Sequence, residues 1–384
     1  MSDKCSNETN NSNDIPLGEI YKGVDYDLNT HVTEREGEPI TVIGEHFNFG
    51  YDLLNIDEFG RQVESSDELG FTVTTNDKGK TQLDKLTLGK YFPKLNGWMA
   101  TLYQYSPTAF SSPQFPIHPD FENLPSFTFS PHVTAVFDSF REMDLLMETF
   151  TKPIMIHRDG VTGADLFNTL ITHVREKTKS AEFKKRVRTV ENNYRRNLKS
   201  YTQYFNALLN KWARLLVLRL DFYFPTEQAG HITAENAHEA REHFFNNMRQ
   251  NVLFGDLKGL IWKLEYGRER GHHFHCIFFF DGKTRQQEKW IADQIGQYWV
   301  SQISPGGSYN SCHKDPNQYK RKGIGMINYD DIQKREIFLH DVLDYLCKMD
   351  QALIVKPSKG RSIGRMEMPK ARASGAGRPR KKAQ

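Results

Sequence analysis

The segment Leu264-Glu265-Tyr266-Gly267-Arg268-Glu269-Arg270-Gly271-His272-His273-Phe274-His275-Cys276 brings together a carboxylate and two imidazoles, side chains that hold divalent cations. A His-x-His pair is weak by itself. With 14 histidines among 384 residues, about 0.5 such pairs arise by chance. The surroundings add weight. Gly267–Gly271 reads as a turn centred near Glu269, which sets Glu265 opposite His273 on the neighbouring strand. Cross-strand partners share a face with Cβ atoms about 5 Å apart. Side chains alternate with period two, so His273 and His275 share that face as well. The other face carries Trp262, Leu264 and Tyr266 on one strand and His272, Phe274, Cys276 and Phe278 on the other, an apolar surface suited to lie under helices, and the face of His273 and His275 is expected to be uncovered. Glu265, His273 and His275 converging there suit a metal; ordinary polar residues on a solvated face are the alternative. Lys263 falls opposite His275, an awkward neighbour for a cation. It would bind phosphate instead, or the register differs by two.

A second group is Asp341-Val342-Leu343-Asp344-Tyr345-Leu346-Cys347-Lys348. On a helix, Tyr345 and Lys348 stand at i and i+3 and present together. A phenol attacking phosphorus must lose its proton, and at a pKa of about 10 only ~0.1 % is ionised at neutral pH. A metal that polarises the phosphate and a nearby ammonium both favour that attack. Taken alone, such a tyrosine is more often core and such a lysine surface. Asp221 in Arg219-Leu220-Asp221-Phe222 is a further candidate neighbour of the site, with a structural ion pair as the alternative.

The elements that must position these groups are legible from residue 211 onward. RLLVLRLDFYF reads as a strand and Ala234–Asn251 as a helix, followed by strands GLIWKLEYG and HHFHCIFFF. Helix 286–302, a Gly/Pro/Asn-rich loop 304–322, a strand at 323–328, a helix at 334–350 and a short ALIV strand at 352–355 follow. Strand–helix–strand–strand–helix–strand is the ferredoxin-like order, an α+β fold with a sheet and helices on one face. Upstream, 1–15 reads as a disordered leader and 16–155 as an acidic α+β or β-rich accessory region, with strand-like runs at Pro39–Ile43 and Phe71–Thr75. Residues 160–210 form a helical segment with a basic face of Lys184, Lys185, Arg186, Arg188, Arg195, Arg196 and Lys199. That face is a solvated helix or helical hairpin, or it tracks phosphates. Residues 357–384 read as a basic, disordered tail.

Charge is divided unevenly. Residues 1–150 hold 24 acidic and 10 basic side chains, whereas the remainder holds 24 acidic and 41 basic, so only the C-terminal part attracts a polyanion. In the tail, Gly377-Arg378-Pro379-Arg380-Lys381-Lys382 is similar to an AT-hook, which lays Arg-Pro-Arg along a narrow A·T minor groove; a generic polybasic tail is the alternative. Cys5, Cys276, Cys312 and Cys347 form no CxxC pair, which favours a reduced cytoplasmic setting over a disulfide scaffold. Apolar runs are too short for a membrane span. No GxxxxGK[ST] motif is present, so unwinding of a duplex would fall to a host helicase, with a host polymerase to extend the product.

E-x7-H-x-H on a hairpin followed by Y-x-x-K on a later helix resembles the single-tyrosine rolling-circle replication initiators of the HUH endonuclease superfamily. More narrowly, RLDFYFP, LEYGRERGHHFHCIFFF, YLCK and GRSIGRMEMPK resemble the YagK/YfjJ C-terminal domain family, inovirus-type replication proteins of prophages and integrative elements, over roughly 200–370. The resemblance implies Mg or Mn as cofactor, single-stranded DNA as substrate, and Glu265, His273 and His275 as ligands. It makes Tyr345 the nucleophile and Lys348 its supporting base. A non-catalytic DNA-binding regulator that keeps the fold, and an RNA-processing enzyme with the same metal site, are the rival readings.

Overall fold

Strands with apolar residues at consecutive positions bury both faces, whereas alternating strands bury one. Leu215–Phe224 and Phe274–Phe280 are mostly of the first kind, and this property sets the architecture. The structure, a computed structural model, describes residues 30–35, 38–43, 47–75, 77, 81–145 without 106–126, 148–229, 231–267, 270–314, 321–348, 353–355 and 360–370.

Thr30–Arg35 (β1) and Glu38–Ile43 (β2) form an antiparallel pair by themselves, in a unit distinct from residues 52–384. Next come helix Phe47–Ser65 (α1), the hairpin of Phe71–Thr75 (β3) and Thr81–Lys85 (β4), helix Leu95–Tyr105 (α2), strand Phe127–Phe129 (β5), and helices Pro131–Glu142 (α3) and Gly163–Lys179 (α4). Phe167 of α4 packs on Phe59, Phe71 and Phe92 at ring-centroid separations of 5.8, 6.0 and 5.8 Å. The acidic region is therefore mainly helical where described. β3 occupies the expected Phe71–Thr75.

The uninterrupted helical stretch divides at Ser180. Its extended backbone ends α4, and its hydroxyl accepts the Phe183 N–H at 3.1 Å to start helix Ala181–Trp212 (α5). α4 joins the upstream aromatic core. α5 lies on the downstream sheet through Tyr201, Tyr204, Phe205 and Leu208, an i, i+3, i+4, i+7 stripe. Six of the seven basic residues on its polar face are exposed; Arg186 is half-buried and donates to the Thr134 hydroxyl at 3.1 Å.

The sheet is built from Arg214–Tyr223 (β6), Leu257–Gly267 (β7) after helix Ala234–Met248 (α6), Gly271–Asp281 (β8), and, after helix Glu288–Tyr298 (α7), Ser308–Ser311 (β9) and Gly325–Asn328 (β10). The order β10-β6-β8-β7, antiparallel throughout, is the ferredoxin-like arrangement. Its fourth position is shared, because β9 pairs with Leu220–Tyr223 and β10 with Arg214–Val217. Helix Ile332–Ile337 (α8) continues through a π-helical turn, Phe338–Leu343, into Asp344–Lys348 (α9). Leu353–Val355 (β11) returns to pair with β5, and Ile363–Arg365 (β12) adds to the free edge of β7.

Two expectations are corrected. The sheet carries helices on both faces, not one. Leu216, Leu218, Leu220, Phe274, Cys276 and Phe278 lie under α6 and α7. Leu215, Val217, Ile277 and Phe279 lie under α5 and the α8–α9 arm. The face bearing the histidines is thus covered, because α5 places a second apolar stripe over it. The segment from 357 is also not all tail, since β12 belongs to the sheet. Three residues are too short to show a strand period, and Gly364 is there because a Cβ would meet the Trp262 indole at 2.7 Å. No helix among the described residues is long and apolar enough to cross a membrane.

Phe205 joins α5 to the sheet and to the α8–α9 arm, with ring centroids 6.0 Å from Phe279 and 4.3 Å from Phe338. Phe205→Ala should lower the unfolding free energy by about 3–5 kcal/mol in a urea titration of unchanged slope. A loss under ~1 kcal/mol would show that the site collapses around the deletion or that this face is not the main interface.

Candidate metal centre

Pairing on the two sides of β8 assembles the site. Glu265 pairs with His273 and Lys263 with His275 across the hairpin, the register expected from its turn. On the other side Asp221 pairs with His275 and Tyr223 with His273. Glu265, Asp221, His273 and His275 therefore meet on one face at one end of the sheet. Gly271 opens β8 with φ +58°, and a Cβ there would strike the Ala229 carbonyl at 2.1 Å. Its own carbonyl accepts the His273 Nδ1–H at 3.1 Å.

Both histidines are anchored through Nδ1, which directs Nε2 inward. His275 Nδ1 donates to Asp221 Oδ1 at 2.6 Å, and its Nε2 lies 3.1 Å from Glu265 Oε2. His273 Nε2 is buried and has no hydrogen-bond partner among the described residues. An orphaned imidazole nitrogen costs free energy unless something fills its lone pair. One ligand atom from each of Glu265, His273 and His275 lies within 4.8 Å of the others, so this buried group can hold a metal ion. Metal-ligating histidines commonly hand their second N–H to a carboxylate or carbonyl, as both do here.

The electrostatics follow from burial. Desolvation drives His273 down to about 4, with the neighbouring His275 adding to the shift. Burial also opposes the charged form of His275, but the Asp221 and Glu265 carboxylates outweigh it and raise its pKa to about 9. Glu265 is likewise opposed by burial yet is held well below the usual carboxylate range by Lys263 and His275. Lys263 is fully buried. Its ammonium turns from His275 to Glu265 Oε1 at 3.1 Å and donates to the Leu346 carbonyl at 2.9 Å. The awkward cation of the sequence is thus paired with a carboxylate and with the α9 helix.

Tyr345 is half-buried on α9, and the Arg219 guanidinium carbon lies 5.4 Å from the centre of its ring. Asp344, beside it, accepts a hydrogen bond from the Tyr194 hydroxyl of α5. The π-helical turn before α9 changes the phase of the helix and so the direction in which Tyr345 points. Tyr329 is placed differently. Its N–H donates to Ala213 at the start of β6, on the order of 25 Å along the strand from Asp221. Lys348 ends α9, but its side chain lies outside the described residues, as do Tyr319 and the tail residues Arg378, Arg380, Lys381 and Lys382. Arg219, Tyr194 and the Lys263 tether were not singled out from sequence. The period-two Arg219-x-Asp221 spacing carries a signal only once β6 is known to pair with β8.

A divalent cation at this group must displace the proton on His275 Nε2. Because that proton leaves only near pH 9, while His273 is already neutral above about 4, affinity for Mn²⁺ should rise with pH. The increase should approach about tenfold per unit over roughly pH 6 to 8, with about one proton released per ion. Calorimetry in buffers of different ionisation enthalpy measures both, and pH-independent affinity would remove His275 from the ligand set.

A family profile described as the YagK/YfjJ C-terminal domain matches residues 176–364. The match begins inside α4, takes in α5 and strands β6 to β10, and ends within β12. Nothing among the curated proteins or the solved structures matches the chain. The α+β domain that carries the Glu265–His273–His275 group, residues 176–364, belongs to the YagK/YfjJ C-terminal domain family.

Proposed function

We propose that this domain is a metal-dependent nickase of single-stranded DNA, acting as a replication initiator or mobilisation protein of a phage or integrative element. The observation that carries the reading is the buried Glu265–His273–His275 group lying against the helix of Tyr345, joined to it by Lys263. In the reaction Tyr345 Oη bonds to phosphorus as the bond from phosphorus to the 3′ oxygen breaks. That oxygen leaves with the electron pair and takes up a proton, while the phenol proton passes to a base, the role given to Lys348. The product is a 5′-phosphotyrosine, which keeps the linkage energy for rejoining. Glu265, His273 and His275 would hold Mg²⁺ or Mn²⁺, which when bound supplies a Lewis acid for the phosphate oxygens. The tail, with Arg378, Arg380, Lys381 and Lys382, would add phosphate contacts, and host helicase and polymerase would act before and after.

A second reading, a DNA-binding regulator without catalysis, is favoured by one observation. Lys263⁺, Glu265⁻, His275⁺ and Asp221⁻ already balance one another without a metal. An assay with labelled oligonucleotides and Mn²⁺ on a denaturing gel separates the two. A covalent adduct that is lost in Tyr345→Phe, with Mn²⁺ and DNA affinities kept, is the expected result. Adduct mapped to another tyrosine would refute the nucleophile, and none from the intact protein would leave the regulator. Removing 371–384 should flatten the slope of log K against log[salt] by up to several units while cleavage at saturating substrate persists. An unchanged slope would show that the tail is not on DNA.

A further inference from the structure

Arg219 occupies an unusual place on the sheet. It shares the face of Asp221 and Tyr223, and its side chain is only 11 % exposed. Its backbone sits in the gap between β9 and β10, and that gap is closed by a side chain. The Arg219 N–H donates to His313 Nε2 at 3.3 Å, and its carbonyl accepts the Cys312 N–H at 3.3 Å. His313 is itself fully buried, with Nδ1 3.8 Å from Glu288 Oε1. Strand β6 is thereby hydrogen-bonded at Arg219, one of the two residues between its β10 and β9 pairings.

The guanidinium stands beside two groups of the site. Its Nε forms an ion pair with Asp221 Oδ1 at 3.7 Å, the oxygen that also accepts the His275 Nδ1–H at 2.6 Å. On the other side the guanidinium faces the Tyr345 ring. A permanent positive charge is thus stationed between the carboxylate that orients a candidate metal ligand and the candidate nucleophile. Guanidinium presents its N–H donors in a planar fork that matches two oxygens of a phosphate, and it stays charged whatever its surroundings.

We infer that Arg219 is a catalytic residue of this site, whose guanidinium binds the non-bridging oxygens of the scissile phosphate while Tyr345 attacks; the inference rests on the nicking reading above. As the Tyr345–phosphorus bond forms and the phosphorus–3′-oxygen bond breaks, negative charge gathers on those oxygens, and a donor already in place stabilises it without reorganisation. Arg219 transfers no proton and remains charged throughout. Its cation–π contact with Tyr345 keeps the fork beside the phenol before DNA arrives.

The test is the single-turnover rate of adduct formation with saturating single-stranded oligonucleotide and Mn²⁺, for the intact protein, Arg219→Gln and Arg219→Lys. Arg219→Gln should be slower by about 10²- to 10³-fold, as for loss of one preorganised donor. Arg219→Lys should fall between the two. Mn²⁺ and DNA affinities should stay within about threefold, since the contact strengthens only in the transition state. Methylguanidinium added to Arg219→Gln should restore part of the rate and do nothing for Tyr345→Phe. An unchanged rate in Arg219→Gln overturns the assignment alone. So does a loss that parallels weaker Mn²⁺ binding and resists rescue, which would make Arg219 a support for Asp221. No adduct from the intact protein overturns the nicking reading and this assignment with it.

Discussion

Lys263, Glu265, His275 and Asp221 lie in a row with almost no water around them, and such a row is stable only if each charge answers the next. Removing an ion from water costs several kcal/mol even after relaxation, and an unanswered buried charge costs that in full. The row runs across three strands, so it is satisfied in one register only. Sliding β7 against β8 by a single residue would send Glu265 to the opposite face, among Phe274, Cys276 and Trp262. The polar end of the sheet therefore specifies its own alignment more sharply than the apolar end, where Phe and Ile tolerate exchange.

The same row reaches out of the sheet. Lys263 ends on a carbonyl of α9, and Tyr194 of α5 engages Asp344 on that helix. α9 is the last five residues of a helical run that starts at Ile332 and passes through the π-helical turn. It is held from below by the sheet and from the side by α5. α5 in turn is anchored upstream, where Phe183 meets the His132 ring edge-on at 5.0 Å. A candidate nucleophile near the end of this helical run is thus tied to a core on each side of it.

Much of the site was legible in the sequence because its signals are local. Glu265, His273 and His275 lie within eleven residues, and the turn between them determines their pairing. The strand order likewise follows from element order. What escaped needed information from far along the chain. That the histidine face is covered depends on Tyr201, Tyr204 and Phe205, some seventy residues upstream, and their stripe alone does not say what it covers. The continuous apolar character of HFHCIFFF was the available sign of a doubly buried strand. Arg219 reads as an ordinary strand residue until β8 is laid beside it. β12 is recognisable only through the Trp262 ring that excludes a Cβ at Gly364.

The pairing of β11 with β5 closes a loop in the connectivity of the chain. A strand that follows all of the sheet but β12 finds its partner before α5, the long helix packed on that sheet, has begun. Genes exchange segments end to end, so a crossover anywhere between residues 130 and 350 would part these two strands. The inheritable module is consequently wider than the domain its chemistry defines. A lineage that traded the half with the Glu265–His273–His275 group alone would inherit an unpaired edge at Leu353–Val355, open to whatever neighbour could add a strand.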